Sequence, residues 1–364
     1  MKKNKLKSIV FRFIVLIFSV LLVFVLPAIM SFAGNDMSYI YSTFIGKKSP
    51  YNGILEIWNV DSFESGLKSK VSYLEKCALK FQKQNKGVYI VIRNLTEKEC
   101  LNLIDNGKFP DIISCSYGVS DKISSFTSAY NESDIMIDSR FMDAGRKNDG
   151  KLYGLAWCVG YYCLISTKAK LEKAGMDSNQ VSLNEIAYTS GYEYKIGKKN
   201  KKSVSITYAT SDYLMPQDSL LAYNKARSIH YESKFEEEKI FKSQYASYGS
   251  FLNNEATILL GTQRDICRMM SREENGKISD VIYLALTNWT DLIQYAFMMN
   301  NETGLRRECA EKFALSLVES ENQKRIEEIG MFPVIEVNGT SNQGVMRDIT
   351  LGNFSVLEPK RLFL

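Results

Sequence analysis

Two spacings of apolar residues alternate along this chain, and together they sketch its elements. Beyond a polar stretch over 34–52, "GILEIWNV" (53–60) is rich in β-branched and aromatic residues and predicts a strand, with "DSFESG" as the loop after it. In "LKSKVSYLEKCALKFQKQN" apolar residues at 67, 71, 74, 78 and 81 recur at helical spacing, and Gly87 stands just beyond as a stop. "VYIVIRNL" (88–95) predicts a second strand. "TEKECLNLIDNG" predicts a short helix, with Thr96 as N-cap, Glu99 three positions on to complete a capping box, and Gly107 closing it. "FPDIISCS" (109–116) predicts a third strand. This β-α-β-α-β run is the pattern of a parallel sheet with crossover helices, and it sets the fold class as α/β.

The stretch "NDGKLYGLAWCVGYYCLISTKAKLEKAGMD" (148–177) opens with a turn signal, runs through an aromatic strand broken by Gly160, and ends in a helix over 168–174 stopped by Gly175. "VSLNEIAY" (181–188) predicts a capped helix start. "SVSITYATS" (203–211) predicts a strand, and "PQDSLLAYNKARS" (216–228) a helix. "KFEEEKIFKSQYASYGSFL" (234–252) predicts one amphipathic helix, "NEATILLGTQRD" (254–265) and "SDVIYLALTN" (279–288) predict strands, and 305–330 predicts one or two helices ending at Gly330. No internal repeat or low-complexity tract interrupts the pattern.

The first 33 residues differ from the rest. Lys2, Lys3, Lys5, Lys7 and Arg12 precede a long apolar run, and small residues Ser31 and Ala33 follow at the spacing a signal peptidase needs. This predicts export, by a cleaved signal peptide or by a retained membrane anchor with its basic end cytoplasmic. The remainder of the chain is expected outside the cytoplasm. Of 46 basic residues five lie in the leader, so the 41 that remain balance the 41 acids. The formal charge of +5 therefore belongs to the leader and gives no reason to expect nucleic acid as a partner. Seven cysteines at irregular spacing, with no CxxC, suggest buried small hydrophobes; Cys158 and Cys163 point to opposite strand faces and are not expected to bridge.

A single histidine, His230, makes Ser-His-Asp, Cys-His and zinc-protease chemistry hard to build, and GxSxG, GxGxxG and EF-hand patterns are absent. No cofactor or metal is expected. Asp61 and Glu64 form a carboxylate pair of the kind glycoside hydrolysis uses, although acidic loops are common without catalysis. In open α/β sheets ligands lie outside the carboxyl ends of strands. Those ends carry Asn59, Asp61 and Glu64; Ser116 and Tyr117; Thr210 to Tyr213; Thr262 to Arg264; and Asn288 to Asp291. The three tryptophans, Trp58, Trp157 and Trp289, fall at or near such positions, which suggests stacking on a ligand.

Six segments in order resemble the carbohydrate-type solute-binding proteins of ABC importers, the class that includes maltodextrin-binding proteins. They are "GILEIWNVDSF", "YLEKCALKFQKQNKGVYIVIRN", "FPDIISCS", "DGKLYGLAWCVGYYCLISTKAKLEKAGMD", "SFLNNEATILLGTQRD" and "AEKFALSLVESENQKRIEEIGMFPV". The resemblance covers most of residues 53 to 334, and departs from the class at Ala156, where proline is usual. It implies a two-lobe periplasmic-binding-protein-like fold (type II) with a ligand cleft between lobes joined by crossing strands. The implied N-terminal lobe is 53–160 plus about 285–318, and the C-terminal lobe 161–284 plus about 319–364. The implied ligand is a small solute, a carbohydrate in this class, and the implied partners are ABC importer permease subunits, with the protein itself a monomer and not an enzyme. Trp58, Trp157, Tyr161 and Trp289 are then candidates to stack on ligand, Asp61, Tyr117, Tyr213, Arg264 and Asp291 to bond its hydroxyls, and Gly160 to serve as hinge. A membrane-anchored sensing receptor of the same fold is the alternative role.

Overall fold

The computed structural model describes residues 47–176, 193–196, 200–203, 205–211, 213–226, 238–301, 303–335 and 358–363. The leader, the expected helix at 181–188 and His230 lie outside the described residues. The strands are β1 (Lys47–Val60), β2 (Asn85–Leu95), β3 (Ile112–Cys115), β4 (Thr127–Ser128), β5 (Gly154–Val159), β6 (Tyr162–Thr167), β7 (Glu193–Ile196), β8 (Asn200–Ser203), β9 (Ile206–Ala209), β10 (Glu238–Phe241), β11 (Ile258–Thr262), β12 (Val281–Leu286), β13 (Trp289–Thr290), β14 (Ile293–Met299) and β15 (Glu358–Pro359). The helices are α1 (Lys70–Gln84), α2 (Glu97–Asp105), α3 (Val119–Ile123), α4 (Ser139–Ala144), α5 (Lys168–Lys173), α6 (Pro216–Lys225), α7 (Gln244–Leu252), α8 (Gln263–Glu274), α9 (Gly304–Ser316) and α10 (Ser320–Gln323). The chain divides into two compact units, Met1–Ile54 with Leu79–Tyr89 and Leu55–Ala78 with Ile90–Leu364. β1, α1 and β2 run through both, and the cleft and the two sheet crossings described below lie in the second, larger unit.

Two sheets organise it. The first has the order β2-β1-β3-β14-β4, with β5 also paired to β14. β1 and β3 run parallel, and β14 runs antiparallel to β3, β4 and β5. The second has the order β10-β9-β11-β6-β12, in which β10, β9 and β11 are parallel and β6 is antiparallel to both its neighbours. The chain passes from first sheet to second between Val159 and Tyr162, and returns between Leu286 and Ile293. Leu362 donates its backbone N–H to Ala144 O, which ties the segment 358–363 to α4.

Local chemistry explains where elements begin and stop. The Thr96 side chain accepts from Glu99 N and the Glu99 carboxylate accepts from Thr96 N, the reciprocal capping box that opens α2. Gly330, at a φ of 70°, closes the 3₁₀ turn Ile326–Ile329 in a left-handed conformation that glycine adopts without strain.

Three expectations need correction, and one strand was unforeseen. The segment 234–252 is not one helix: β10 pairs with β9 from Glu238 to Phe241, and α7 starts only at Gln244. Lys239 and Ile240 are exposed there, as suits a charged sheet edge, and strand pairing overrides the helical spacing. The strand expected to reach residue 265 stops at Thr262, whose backbone N–H is taken by the Asp265 carboxylate (3.0 Å) at the start of α8. Gly87 lies within β2 rather than in a gap after α1. β14, the strand that joins β3, β4 and β5, gave no period-two signal because all seven of its positions are buried.

Candidate ligand cleft

The crossing between the sheets is held by the return crossing. Gly160 N–H donates to Leu292 O (2.7 Å), and Thr290 Oγ1 donates to Gly160 O (2.9 Å). Val159 exchanges backbone bonds with Phe332 at 3.0 and 2.9 Å. An added Cβ at Gly160 would lie 2.7 Å from Gln263 Oε1, the atom that accepts from Tyr161 N–H, so a side chain here would have to displace the Gln263 amide from that bond.

The carboxyl ends of β1, β9, β10 and β11 converge beside this crossing. The loop after β1 is fixed by Gly66 N–H to Gly330 O (3.3 Å) and Leu67 N–H to Ile329 O (3.0 Å). Its Asp61 Oδ1 accepts from Lys70 Nζ (3.1 Å), and the Lys70 ammonium, 1 % exposed, also donates to Phe63 O and sits over the Phe63 ring. Glu64 Oε2 accepts from Arg264 Nε (2.9 Å) and Arg268 Nη2 (2.8 Å), both on α8. These bonds link an element of the first sheet to one of the second. Arg264 is 0 % exposed and also donates Nη1 to Asp265 Oδ1 (2.7 Å). Burial pushes the Asp265 carboxyl up to about 6, against the pull of the Arg264 guanidinium.

Two cavities open around this network. One, of about 430 Å³, is lined by Asp61, the segment 64–69, Cys267, Arg268 and Ser271. The other, of about 270 Å³, is lined by the segment 61–64, residues 209–211, Leu214 and residues 242–244. Asp61 and Glu64 wall both. Carboxylates, a guanidinium, ammonium groups and serine hydroxyls share the walls about equally with apolar atoms such as those of Leu67, Phe63 and Leu214, so the surface offers both hydrogen bonds and apolar contact.

Of the residues singled out from sequence, the structure brings Asp61 to the cavities and Arg264 directly behind Glu64. Trp157 is 0 % exposed and stacks on Tyr73 of α1, with ring centroids 5.2 Å apart and 3° between planes; its Nε1 donates to Ser114 Oγ (3.3 Å). Trp58 is 2 % exposed, with Nε1 donating to Glu56 Oε1 (2.7 Å). Tyr161 is buried with its ring edge against Phe332. The three rings expected to stack on ligand are thus buried in this structure: Trp157 because β5, which carries it, is buried along its whole length, Trp58 within β1, and Tyr161 against Phe332 in the crossing. Trp289 is half-buried in β13, beside β15. Tyr117, at the end of β3, is buried; its hydroxyl meets Tyr295 OH (3.2 Å) and donates to Lys360 O. Tyr213 packs over Gly118. Lys70 and Arg268 were not anticipated. Arg268 lies one helical turn after Arg264, a spacing that has meaning only once α8 is recognised as a helix. All seven cysteines are buried, as their composition suggested for most of them, and all seven are free.

Asp291 lies in the return crossing, fully buried. Its Oδ1 accepts from Tyr162 OH (2.7 Å) and its Oδ2 from Met215 N–H (2.7 Å), and burial pushes its carboxyl up to about 6. A carboxyl raised above its unfolded value near 3.9 holds its proton more tightly in the folded state. This group's contribution to stability is thus fullest below about pH 4 and is lost as pH rises through about 6. Asn at 291 keeps an acceptor for Met215 and removes the buried charge. Asp291→Asn is expected to raise stability at pH 7.5 by about 2 kcal/mol, with little gain at pH 4. Urea unfolding of both proteins at the two pH values reads this directly, and an equal gain at both would refute the buried-charge account.

No family model matches the chain, and no curated protein sequence does. Solved structures do. The GacH receptor of Streptomyces glaucescens GLA.O, solved unliganded and with acarbose or an acarbose homolog, aligns with a TM-score of 0.56 at 10% identity, over 86% of this chain and 89% of its own. The fold is that of the type II solute-binding proteins. The ABC substrate-binding protein Lmo0181 of Listeria monocytogenes, in complex with cycloalternan, aligns at 0.53 and 12% identity over 85% of this chain and 88% of its own. Iron-bound HitA of Pseudomonas aeruginosa aligns at 0.50 and 12% identity over 83% and 95%. Saccharides and iron thus occupy one architecture in different proteins, and the ligand has to be argued from the site. Among the described residues no helix is long and apolar enough to cross a membrane, and no cluster of His, Cys, Asp and Glu is arranged to hold a metal ion.

Proposed function

We propose that this chain is an exported solute-binding protein that captures a small neutral polyhydroxylated solute, a carbohydrate, in the cleft beside Asp61 and Glu64 and delivers it to the permease subunits of an ABC importer. The observation that carries the reading is the pair of carboxylates shared by both cavities. Lys70 holds one oxygen of Asp61, and Arg264 with Arg268 holds one oxygen of Glu64. Among the described residues the second oxygens, Oδ2 and Oε1, take no hydrogen bond and serve as acceptors for hydroxyls that burial strips of water, while Arg268 and the serines supply donors. Saccharide complexes of GacH and Lmo0181 support the ligand class by likeness of fold. We place the first lobe at 53–160 with about 285–335 and 358–363, and the second at 161–284; this moves the segment after 318 from the lobe the resemblance implied, because Ile329, Gly330 and Phe332 bond to Leu67, Gly66 and Val159, and Leu362 to Ala144. Gly160 is the hinge between them. Closure over solute then follows from differential affinity for the closed form.

Glu64→Ala removes a charged acceptor and is expected to weaken solute binding about 10–100-fold, with the fold intact by circular dichroism. Calorimetric titration against mono- and disaccharides, polyols, amino acids and anions tests it. A panel without a single binder, or undiminished affinity in Asp61→Ala/Glu64→Ala, sinks the proposal. The long apolar leader, with no cysteine near its end for lipid attachment, favours a second role as an anchored receptor. N-terminal sequencing of the mature protein separates the two: an intact residue 1 means an anchor, a start at Gly34 means release.

A further inference from the structure

Resting on the solute-binding reading, we propose that residues 358–363 are a strap that braces the hinge and, through Lys360, holds the two lobes closed with or without solute, so that its hold sets how fast solute enters and leaves. The placement of its ties carries this. Along the return crossing the strap adds a strand: β15 pairs with β13 in parallel, Glu358 N–H donates to Asn288 O (2.9 Å), and Lys360 N–H donates to Thr290 O (2.9 Å). Thr290 in turn donates its hydroxyl to Gly160 O, so the two crossings and the strap form one hydrogen-bonded stack at the hinge. The far end is fixed to the first lobe. Leu362 N–H donates to Ala144 O (2.9 Å), and the Leu362 side chain lies over bare Gly154, where an ideal Cβ would fall 2.6 Å from Leu362 Cδ1. Phe363 meets Phe297 of β14 edge to face, with centroids 6.5 Å apart.

Lys360 carries the strap to the second lobe. Its Nζ donates to Tyr213 O (3.2 Å), in the loop after β9. From the first lobe, Tyr117 OH donates to Lys360 O, and the Tyr117 ring lies 4.9 Å from the ammonium. Opening about the hinge has to separate contacts on both sides of the crossing. On the β1 side these are the bonds of Glu64 to Arg264 and Arg268, at the cavity walls where the proposed solute would touch them. On the β3 side they include the Lys360 tie, and neither Lys360 nor Tyr213 lines either cavity. Solute in those cavities leaves the tie alone, so the tie favours the closed form equally in the free and the bound protein. A contact of equal strength in both leaves affinity unchanged where the closed form dominates. Entry and departure both require opening, and the tie slows both by the same factor.

The test compares wild type, Lys360→Met and a chain ended after Leu357. Amide hydrogen exchange of the free proteins is read first. Both variants are expected to exchange at least fivefold faster over the crossings, 159–162 and 288–292, and at Met215, while β14 keeps its wild-type rates. Lys360→Met carries the comparison should the shortened chain fail to fold. Unchanged exchange at the crossings overturns the strap, as does an equal quickening in β14, which is general destabilisation. Surface plasmon resonance with maltose, xylobiose and chitobiose reads the second half. In Lys360→Met the association and dissociation rates are both expected to rise at least fivefold, with Kd within twofold of wild type. A rise in the dissociation rate alone overturns the hold on the free protein and leaves the solute-binding reading standing. A wild type that binds none of the three overturns the carbohydrate reading and leaves the strap to the exchange measurement, which needs no solute.

Discussion

Arg264→Ala lowers the free energy of unfolding by about 3–5 kcal/mol, the cost of breaking a buried ion pair by removing one partner. The guanidinium is fully buried and donates to two carboxylates on either side of it, Glu64 and Asp265. Without it, Asp265 is left ionised or forced to protonate in a site where burial already pushes its carboxyl up to about 6, with Thr262 N–H as its remaining short bond. Glu64 fares better, since it is half-exposed and keeps Arg268. The asymmetry yields a second expected result. Replacing Arg264 and Asp265 together by leucine costs less than Arg264→Ala alone, because both charges leave and nothing charged stays buried. Arg264→Lys rescues little, as one ammonium cannot reproduce two donors in a fixed fork. Urea unfolding of the set decides it: a loss under about 1 kcal/mol for Arg264→Ala means the pair is not desolvated as the structure has it.

The same network explains why a stability residue shapes the cleft. Glu64 stands half-exposed between the two cavities only because α8 supplies two guanidinium groups to hold one of its oxygens. The helix is the link that the sequence concealed. Its opening "T-x-x-D" is a helix signal, but "ILLGT" immediately before it has a strand's composition, and that composition alone predicts a strand continuing to Asp265. With α8 unseen, the four-residue spacing of Arg264 and Arg268 carried no meaning, and Arg264 stood out only as a polar residue at a strand end.

The architecture was legible because its strand and helix signals are local. The strand over 53–60, the capping box of Thr96 and Glu99, the left-handed stop at Gly330 and the glycine at the crossing each follow from a few neighbouring residues. What was hidden depends on contacts far apart in sequence. β14 reads as seven apolar-to-mixed residues without alternation because strands pair with it on both sides and both its faces are covered. The aromatic residues misled for the same reason. A strand-end position predicts proximity to the cleft, but not which side of the sheet a ring enters, and α1 had already taken the side that Trp157 faces.

Trp157→Ala is accordingly expected to destabilise the protein by about 3–5 kcal/mol, the range for emptying a large aromatic from a well-packed core. The ring is 0 % exposed, lies parallel to Tyr73 at 5.2 Å, and its N–H is spent on Ser114 Oγ. Its removal leaves a void between β5 and α1 and withdraws a donor from Ser114, which also donates to Asn59 Oδ1 (3.1 Å) and accepts from Gln294 Nε2 (3.1 Å). Trp157→Phe refills most of the volume and is expected to recover more than half of the loss. The decisive comparison is between stability and affinity. If Trp157 is core, Trp157→Phe binds solute within about threefold of wild type, and titration with solute leaves the Trp157 contribution to fluorescence unchanged. A variant with native stability and affinity reduced tenfold or more would place the ring against the ligand after all, and return to Trp157 the role that its position beside Gly160 first suggested.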